Sequence, residues 1–288
     1  MSPSAADEAA HSPGEQEWWS DAWQLDATTP DGIGLTLRLE CYPNRRQAWY
    51  WTYLLLPALD GPVVVRDHDV NLPRQGLEIR AEGLWAELWC ETPMEHWTYG
   101  LEAFGVRLDE PGDALTGEIG ERIPVGLDLE WETDGFVHSH AAQWPLAGYV
   151  EPGIVHGDVL LGRERFELDA RGEYHRTWGV RAWDRPGAWS IGCAGPELSL
   201  HVEGAAGGAV DGYVRLGAEP AHAITSARRE AHAGAARVVL DDEIEVELEV
   251  LAGAPVPIED LVVVDRALCR LRVGDLVEIG WCSALEAR

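Results

Sequence analysis

The chain contains no lysine: all 22 of its basic residues are arginine, set against 50 acidic ones. That absence excludes every mechanism needing a lysine amine, including Schiff-base chemistry, pyridoxal phosphate attachment and a P-loop. No Cys-x-x-Cys pair occurs, and the five cysteines (41, 90, 193, 269, 282) are odd in number, far apart and set mostly in apolar runs. They read as reduced, buried thiols rather than a disulfide framework or a zinc site. No Gly-x-Ser-x-Gly elbow is present, and Gly32-x-Gly34 lacks the third glycine of a dinucleotide fingerprint. No apolar run approaches the ~20 residues that span a bilayer. Helical periodicity is almost missing too.

What is present is acid and β-pattern. The net charge of −28 opposes binding to nucleic acid or anionic lipid, and its plain reading is a well-solvated surface. Residues 1–16 are acidic, polar and rich in Ala, Ser and Pro. With no basic start and no apolar core they are not a signal peptide. They read as a disordered leader on a cytoplasmic protein.

Period-2 alternation runs through the rest. Ile33, Leu35, Leu37, Leu39 and Cys41 share one face. So do Leu84, Ala86, Leu88 and Cys90, then Ile123, Val125, Leu127, Leu129 and Trp131. Leu198, Leu200 and Val202, then Ile244, Val246, Leu248 and Val250, repeat the habit. One face in a core and one in water marks antiparallel sheets. The region 225–237 has helix-favouring composition, yet both flanks alternate, so a strand pair turning at Ala233-Gly234 is expected. Turn signals every eight to twelve residues suit barrels or sandwiches, and roughly twenty strands exceed one small barrel. The expected architecture is all-β, two tandem antiparallel barrels, divided as 17–134 and 135–288. The seam is placed where alternation lapses, at 134–145.

The stretch 149–189 concentrates chemistry. Six glycines (153, 157, 162, 172, 179, 187) punctuate it, as turns and bulges between short strands would require. Alternation puts Tyr174, Arg176 and Trp178 on one face, and His175, Thr177, Arg181 and Trp183 on the other. Asp184, Glu151 and Asp158 are candidate acids, because a carboxyl in an apolar aromatic setting has its pKa raised. Trp178, Trp183, Trp49, Tyr50 and Trp51 are a candidate aromatic wall. Against this, Trp178 and Arg181 also fit a purely structural stack closing a barrel end. His138-x-His140, with His156 or His175, is a possible metal set, but no carboxylate follows at short spacing, and a solvent-facing pair is the better reading.

Two segments carry a family resemblance: Tyr149-Val-Glu-Pro-Gly-Ile-Val-His-Gly-Asp-Val and Gly172-Glu-Tyr-His-Arg-Thr-Trp-Gly-Val-Arg-Ala-Trp-Asp. They resemble the hydroxyneurosporene synthase-like (carotenoid hydratase) proteins, most specifically at Trp178-Gly179-x-Arg181-x-Trp183. Glu17-Trp-Trp, the 42–51 run and Gly280-Trp281 extend the likeness to most of residues 17–285. The resemblance implies two calycin-like (lipocalin-like) barrels and hydration of an apolar terpenoid. Tyr174, His175 and Thr177 stand where that family often has arginine, aspartate and serine, and Arg176 replaces a histidine proposed to act in hydration. The fold expectation is independent of these changes, whereas the reaction expectation is not. The candidate site is therefore Asp184, Glu151 and His175 as catalytic groups. Trp49, Trp51, Tyr149, Arg176, Trp178, Arg181 and Trp183 would bind ligand, with no metal and no cofactor. Two functions stay open: a cofactor-independent hydratase, cyclase or isomerase, and a non-catalytic carrier of a hydrophobic or amphipathic small molecule. The expected protein is a monomer or weak homodimer, with no nucleic-acid partner and no membrane insertion.

Overall fold

The computed structural model describes residues 2–57, 59, 61–117, 119–232, 235–259 and 261–287. The Ala233-Gly234 turn and the first residue of the Asp60-Gly-Pro turn lie outside them. The first sheet uses β1 (Trp19–Thr28), β2 (Gly34–Tyr42), β3 (Gln47–Leu55), β4 (Val63–Asn71), β5 (Leu77–Ala81) and β6 (Leu84–Thr92). It continues with β7 (His96–Leu108), β8 (Gly120–Thr133), β9 (His138–Ser139), β10 (Ala147–Leu161) and β11 (Glu164–Val180). Its order is β4-β3-β2-β1-β11-β10-β8-β7-β6-β5, with β9 beside β10. Val63 and Val64 pair with Arg107 and Val106, so β4 meets β7 and the sheet closes into a barrel.

The second sheet comprises β12 (Trp189–Ala194), β13 (Leu198–Gly204), β14 (Val210–Leu216), β15 (His222–Ile224) and β16 (Ala227–His232). It adds β17 (Ala235–Leu240), β18 (Ile244–Gly253), β19 (Val256–Ile258), β20 (Val262–Val273) and β21 (Leu276–Ala287). It runs β15-β14-β13-β12-β21-β20-β18-β17-β16, with β19 beside β20, and rolls around its own core. The all-β, two-barrel expectation is what the chain adopts, and 225–237 forms a strand pair as expected.

The alternation explains each core but understates burial. Ala48, Tyr50 and Leu54 of β3 enter the first barrel, while Trp49, Trp51, Tyr53 and Leu55 of the same strand pack outward. Their outward partners include Ala254, Val256, Ile258, Leu268 and Trp281 of the second barrel. The two barrels thus share an apolar interface that leaves β3 buried on both faces.

Several expectations are corrected. The chain passes between sheets after Val180, so the lapse at 134–145 is a connection within the first sheet that carries the short strand β9. Gly153, Gly157, Gly172 and Gly179 lie inside β10 and β11, which form one long hairpin turning at Gly162. Cys269 and Cys282, on adjacent strands with Cα atoms 6.4 Å apart, form a disulfide, and Cys41, Cys90 and Cys193 remain free. Such a Cα separation suits a bridge across a strand pair.

The N-terminal segment is packed, not a disordered leader. A short 3-10 turn (Ala5–Glu8) brings Glu8 into the mouth of the first barrel. There its carboxylate accepts hydrogen bonds from the Tyr174 hydroxyl (2.8 Å) and the Met94 amide (2.9 Å). His11 stacks on Trp178, with ring centroids 3.9 Å apart. Polar groups at the barrel mouth need partners once buried, and the leader supplies them.

Candidate active site between the barrels

Where the barrels meet beside their apolar interface, a cleft of about 320 Å³ opens. The first barrel lines it with the outward residues of β1, β2, β3 and β11: Gln24 and Asp26, Arg38, Trp51, and Glu173, His175 and Thr177. The second contributes Trp189 and Gly192 from β12, His201 and Glu203 from β13, Arg266 from β20 and Trp281 from β21. The connection between the barrels supplies Arg181 and Trp183.

A ladder of ionisable groups crosses the cleft floor. Arg266 Nη2 lies 2.5 Å from Asp26 Oδ1, and its Nη1 donates to Ser283 Oγ at 2.9 Å. Asp26 Oδ2 lies 3.3 Å from His175 Nε2 and accepts from Gln24 Nε2 at 2.8 Å. His175 Nε2 is 3.8 Å from Glu173 Oε2, which in turn lies 3.3 Å from His201 Nδ1. His201 Nε2 lies 3.4 Å from Glu203 Oε1. The two imidazoles meet edge to face at 4.8 Å. Glu173 and His201 crowd Gly192 so closely that a Cβ there would lie 2.2 Å from the carboxylate. Only glycine lets β12 pass beneath the pair.

Burial and neighbouring charge act against each other here. Burial opposes ionisation of Asp26, yet the Arg266 guanidinium and His175 outweigh it and hold the carboxyl well below the usual range. Burial likewise disfavours the charged form of His201, but Glu173 and Glu203 push its pKa up to about 10. His201 is therefore an imidazolium at neutral pH, clamped between two carboxylates. Glu203, half-buried and facing His201 and His140, is held well below the carboxylate range. A second network braces the cleft wall. Glu40 accepts from Arg38 Nε (2.8 Å) and Arg181 Nε (2.8 Å), and Arg181 Nη2 donates to Thr177 Oγ1 (2.8 Å). Burial opposes the charge of Glu40, but the two arginines win and bring its pKa down to about 2.

The structure brings together some of the expected site residues and separates others. His175, Trp51, Arg181 and Trp183 all line the cleft, and Tyr174 with Arg176 face the opposite way, into the first barrel, as the alternation required. Trp49 is buried in the interface, against Tyr42 and His68, and does not reach the cleft. Tyr149 and Glu151 lie inside the first barrel. Burial, then the nearby Glu8 and Asp134 charges, raise Glu151 to about 8. Arg176 pairs with Asp21 and donates to Ala9 O, tying down the N-terminal segment, and Trp178 stacks beside it. Asp184 is exposed on the connecting loop and does not line the cleft, although Trp183 beside it does. Asp158 pairs with Arg165 on the outer surface. His138 and His140 are not the expected solvent-facing pair: they are packed against the second barrel, reaching Asp211 and Glu203, while His156 sits elsewhere.

Sequence reasoning missed Asp26, Glu173, His201, Glu203 and Arg266. Their signal was available as the polar faces of alternating strands, read there as solvent-facing. Glu173, His175 and His201 each offer one donor atom within 4.8 Å of the others and could hold a metal. In this structure the His201 imidazolium already supplies a positive charge beside Glu173.

A family model matches residues 4–288. The chain belongs to the family of the domain of unknown function DUF7064. No curated protein matches this DUF7064 chain in sequence. Among solved structures it is similar to a putative AttH from Nitrosomonas europaea, at 12% identity and TM-score 0.60, covering 95% of this chain and 94% of that one. It is also similar to kievitone hydratase from Nectria haematococca, at 11% identity and TM-score 0.57, covering 93% and 88%. A third is CghA, at 10% and 0.52, covering 94% and 89%. At such identities the likeness establishes that this chain shares their two-barrel fold and leaves its chemistry to the residues of the cleft.

Proposed function

We propose that the cleft is the active site of a cofactor-independent hydratase, cyclase or isomerase acting on an apolar or amphipathic terpenoid- or polyketide-like molecule. One observation carries this reading: a buried ladder of Asp26, His175, Glu173 and His201 faces a cleft walled by Trp51, Trp183, Trp189 and Trp281. His175 gives or takes the proton at carbon, positioned by the ionised Asp26 on one side and Glu173 on the other. The indole faces and the fixed carboxylates stabilise positive charge developing on the substrate, in a site where burial strengthens every electrostatic contact. Arg181 and Arg38, at the cleft wall, orient a polar end of the ligand. The resemblance to hydroxyneurosporene synthase-like proteins and the structural likeness to kievitone hydratase both agree with hydration as the first reaction to test.

The test uses the purified protein and a panel of terpenoid and polyketide alkenes in deuterium oxide, followed by mass spectrometry. Turnover appears as a gain of water or of deuterium at carbon. His175→Gln keeps the side-chain volume but cannot shuttle a proton, and it should reduce turnover by about 10²–10⁴-fold while leaving binding in place. Binding of the same alkenes without deuterium uptake or hydration would replace this reading with that of a carrier.

A further inference from the structure

Away from the cleft, the outer face of the first barrel carries an acidic row along β8: Asp128, Glu130 and Glu132, at alternate positions and so on one side of the sheet. The neighbouring strands treat its two ends differently. At one end Asp128 stands directly across from Asp158 on β10, and Arg165 binds Asp158 through Nε at 2.9 Å. At the other end no arginine pairs with Glu130 or Glu132 among the described residues. Two histidines face them instead: His96 on β7 stands opposite Glu132, and His156 on β10 stands opposite Glu130. His96 Nε2 lies 3.2 Å from Glu130 Oε2, and His156 Nε2 lies 3.5 Å from the same oxygen. Donor atoms of His96, Glu130 and Glu132 all fall within 4.8 Å of one another.

His96 Nε2 is the most sheltered donor of the group: the ring is half-buried, and its nearest neighbour is the Glu130 carboxylate, close but without hydrogen-bond geometry. A ring nitrogen so placed beside carboxylate oxygens has the disposition of a metal ligand. We propose that this corner of the first barrel binds one divalent cation of zinc type, through His96, Glu130 and Glu132, with His156 as the fourth ligand. A mixed nitrogen and oxygen donor set of four suits tetrahedral zinc, and magnesium or calcium would demand more oxygens. The cation would offset the two uncompensated carboxylates and tie β7, β8 and β10 together at their edge.

The full-length protein, freed of metal by a chelator, is titrated with zinc chloride by calorimetry and with cobalt chloride by visible absorption. One equivalent should bind, with the intense cobalt bands of a four-coordinate site. His96→Ala and Glu132→Gln should each weaken binding at least tenfold and His156→Ala should weaken it less, with circular dichroism confirming that each variant keeps the β-fold. Failure to saturate below about 1 mM metal overturns the proposal. So does binding that survives His96→Ala and Glu132→Gln but is lost in His201→Ala, which would place the ion at Glu173, His175 and His201 in the cleft.

Discussion

At the scale of single residues, the deciding quantity is how each buried charge is compensated. Glu151 is the outlier, an acid sealed inside an apolar barrel beside Glu8, with one oxygen lacking any hydrogen bond. Its folded pKa of about 8 lies above the ordinary 4.5. The folded state therefore holds a proton that the unfolded chain releases, and the associated stability fades as pH rises from about 4.5 through 8. Replacing it with glutamine removes that linkage. Glu151→Gln should raise the melting temperature at pH 9 and leave it nearly unchanged at pH 4.5, as thermal unfolding at the two pH values would check. Equal effects at both would mean that Glu151 is not protonated in the fold. The opposite case is Gly192, where the Glu173 carboxylate occupies the space of a side chain. Gly192→Ala should displace Glu173 from His201 and reduce turnover, and would do neither if the carboxylate were free to swing away.

At the scale of elements, the sequence disclosed period but not environment. Leu35, Leu37, Leu39 and Cys41 announced the inner face of β2, and the hydrophobic core of the barrel follows that pattern residue by residue. Thr36, Arg38 and Glu40 on the other face looked like solvent positions, yet all three are buried. A strand whose polar face is covered by a second barrel has the same alternation as one facing water. The difference lies in a contact made far along the chain, and that is why His175 could be found while its neighbours Asp26 and His201, and the Arg266 that pairs with Asp26, could not. The Gln47–Leu55 strand gave a clearer sign, since Trp49, Trp51 and Tyr53 are too apolar for an outer face. Trp49→Ala, which empties the joint between the barrels, should cost about 3–5 kcal/mol and lower the melting temperature by on the order of 10 °C. A loss below about 1 kcal/mol would mean that the interface contributes little. The N-terminal segment was misread because its composition is that of a leader. Its order comes from Tyr174 and Arg176, whose hydrogen bonds end on Glu8 and Ala9. Deleting residues 2–12 strands the Tyr174 hydroxyl, while Arg176 keeps Asp21, and should cost about 1–3 kcal/mol, measurable by denaturant unfolding.

For the whole molecule, the two barrels act as one frame whose junction holds both the apolar interface and the charged cleft. The pH dependence of stability should reflect this. Glu203 and Asp26 have depressed pKa values, so their contribution is present above the ordinary carboxylate range and is lost as pH falls below it. The His201 contribution is complete below pH 6.5 and is lost as pH rises toward 10. Stability should peak between these limits. The central claim is that a ligand sits between the barrels and not within either. The most direct measurement is mass spectrometry of small molecules extracted from the purified protein and from Ala284→Trp, whose indole would fill the cleft beside Trp189. The native protein should carry a bound molecule and the variant should lose it, with folding retained. A molecule carried equally by both proteins would contradict that claim and place the ligand elsewhere.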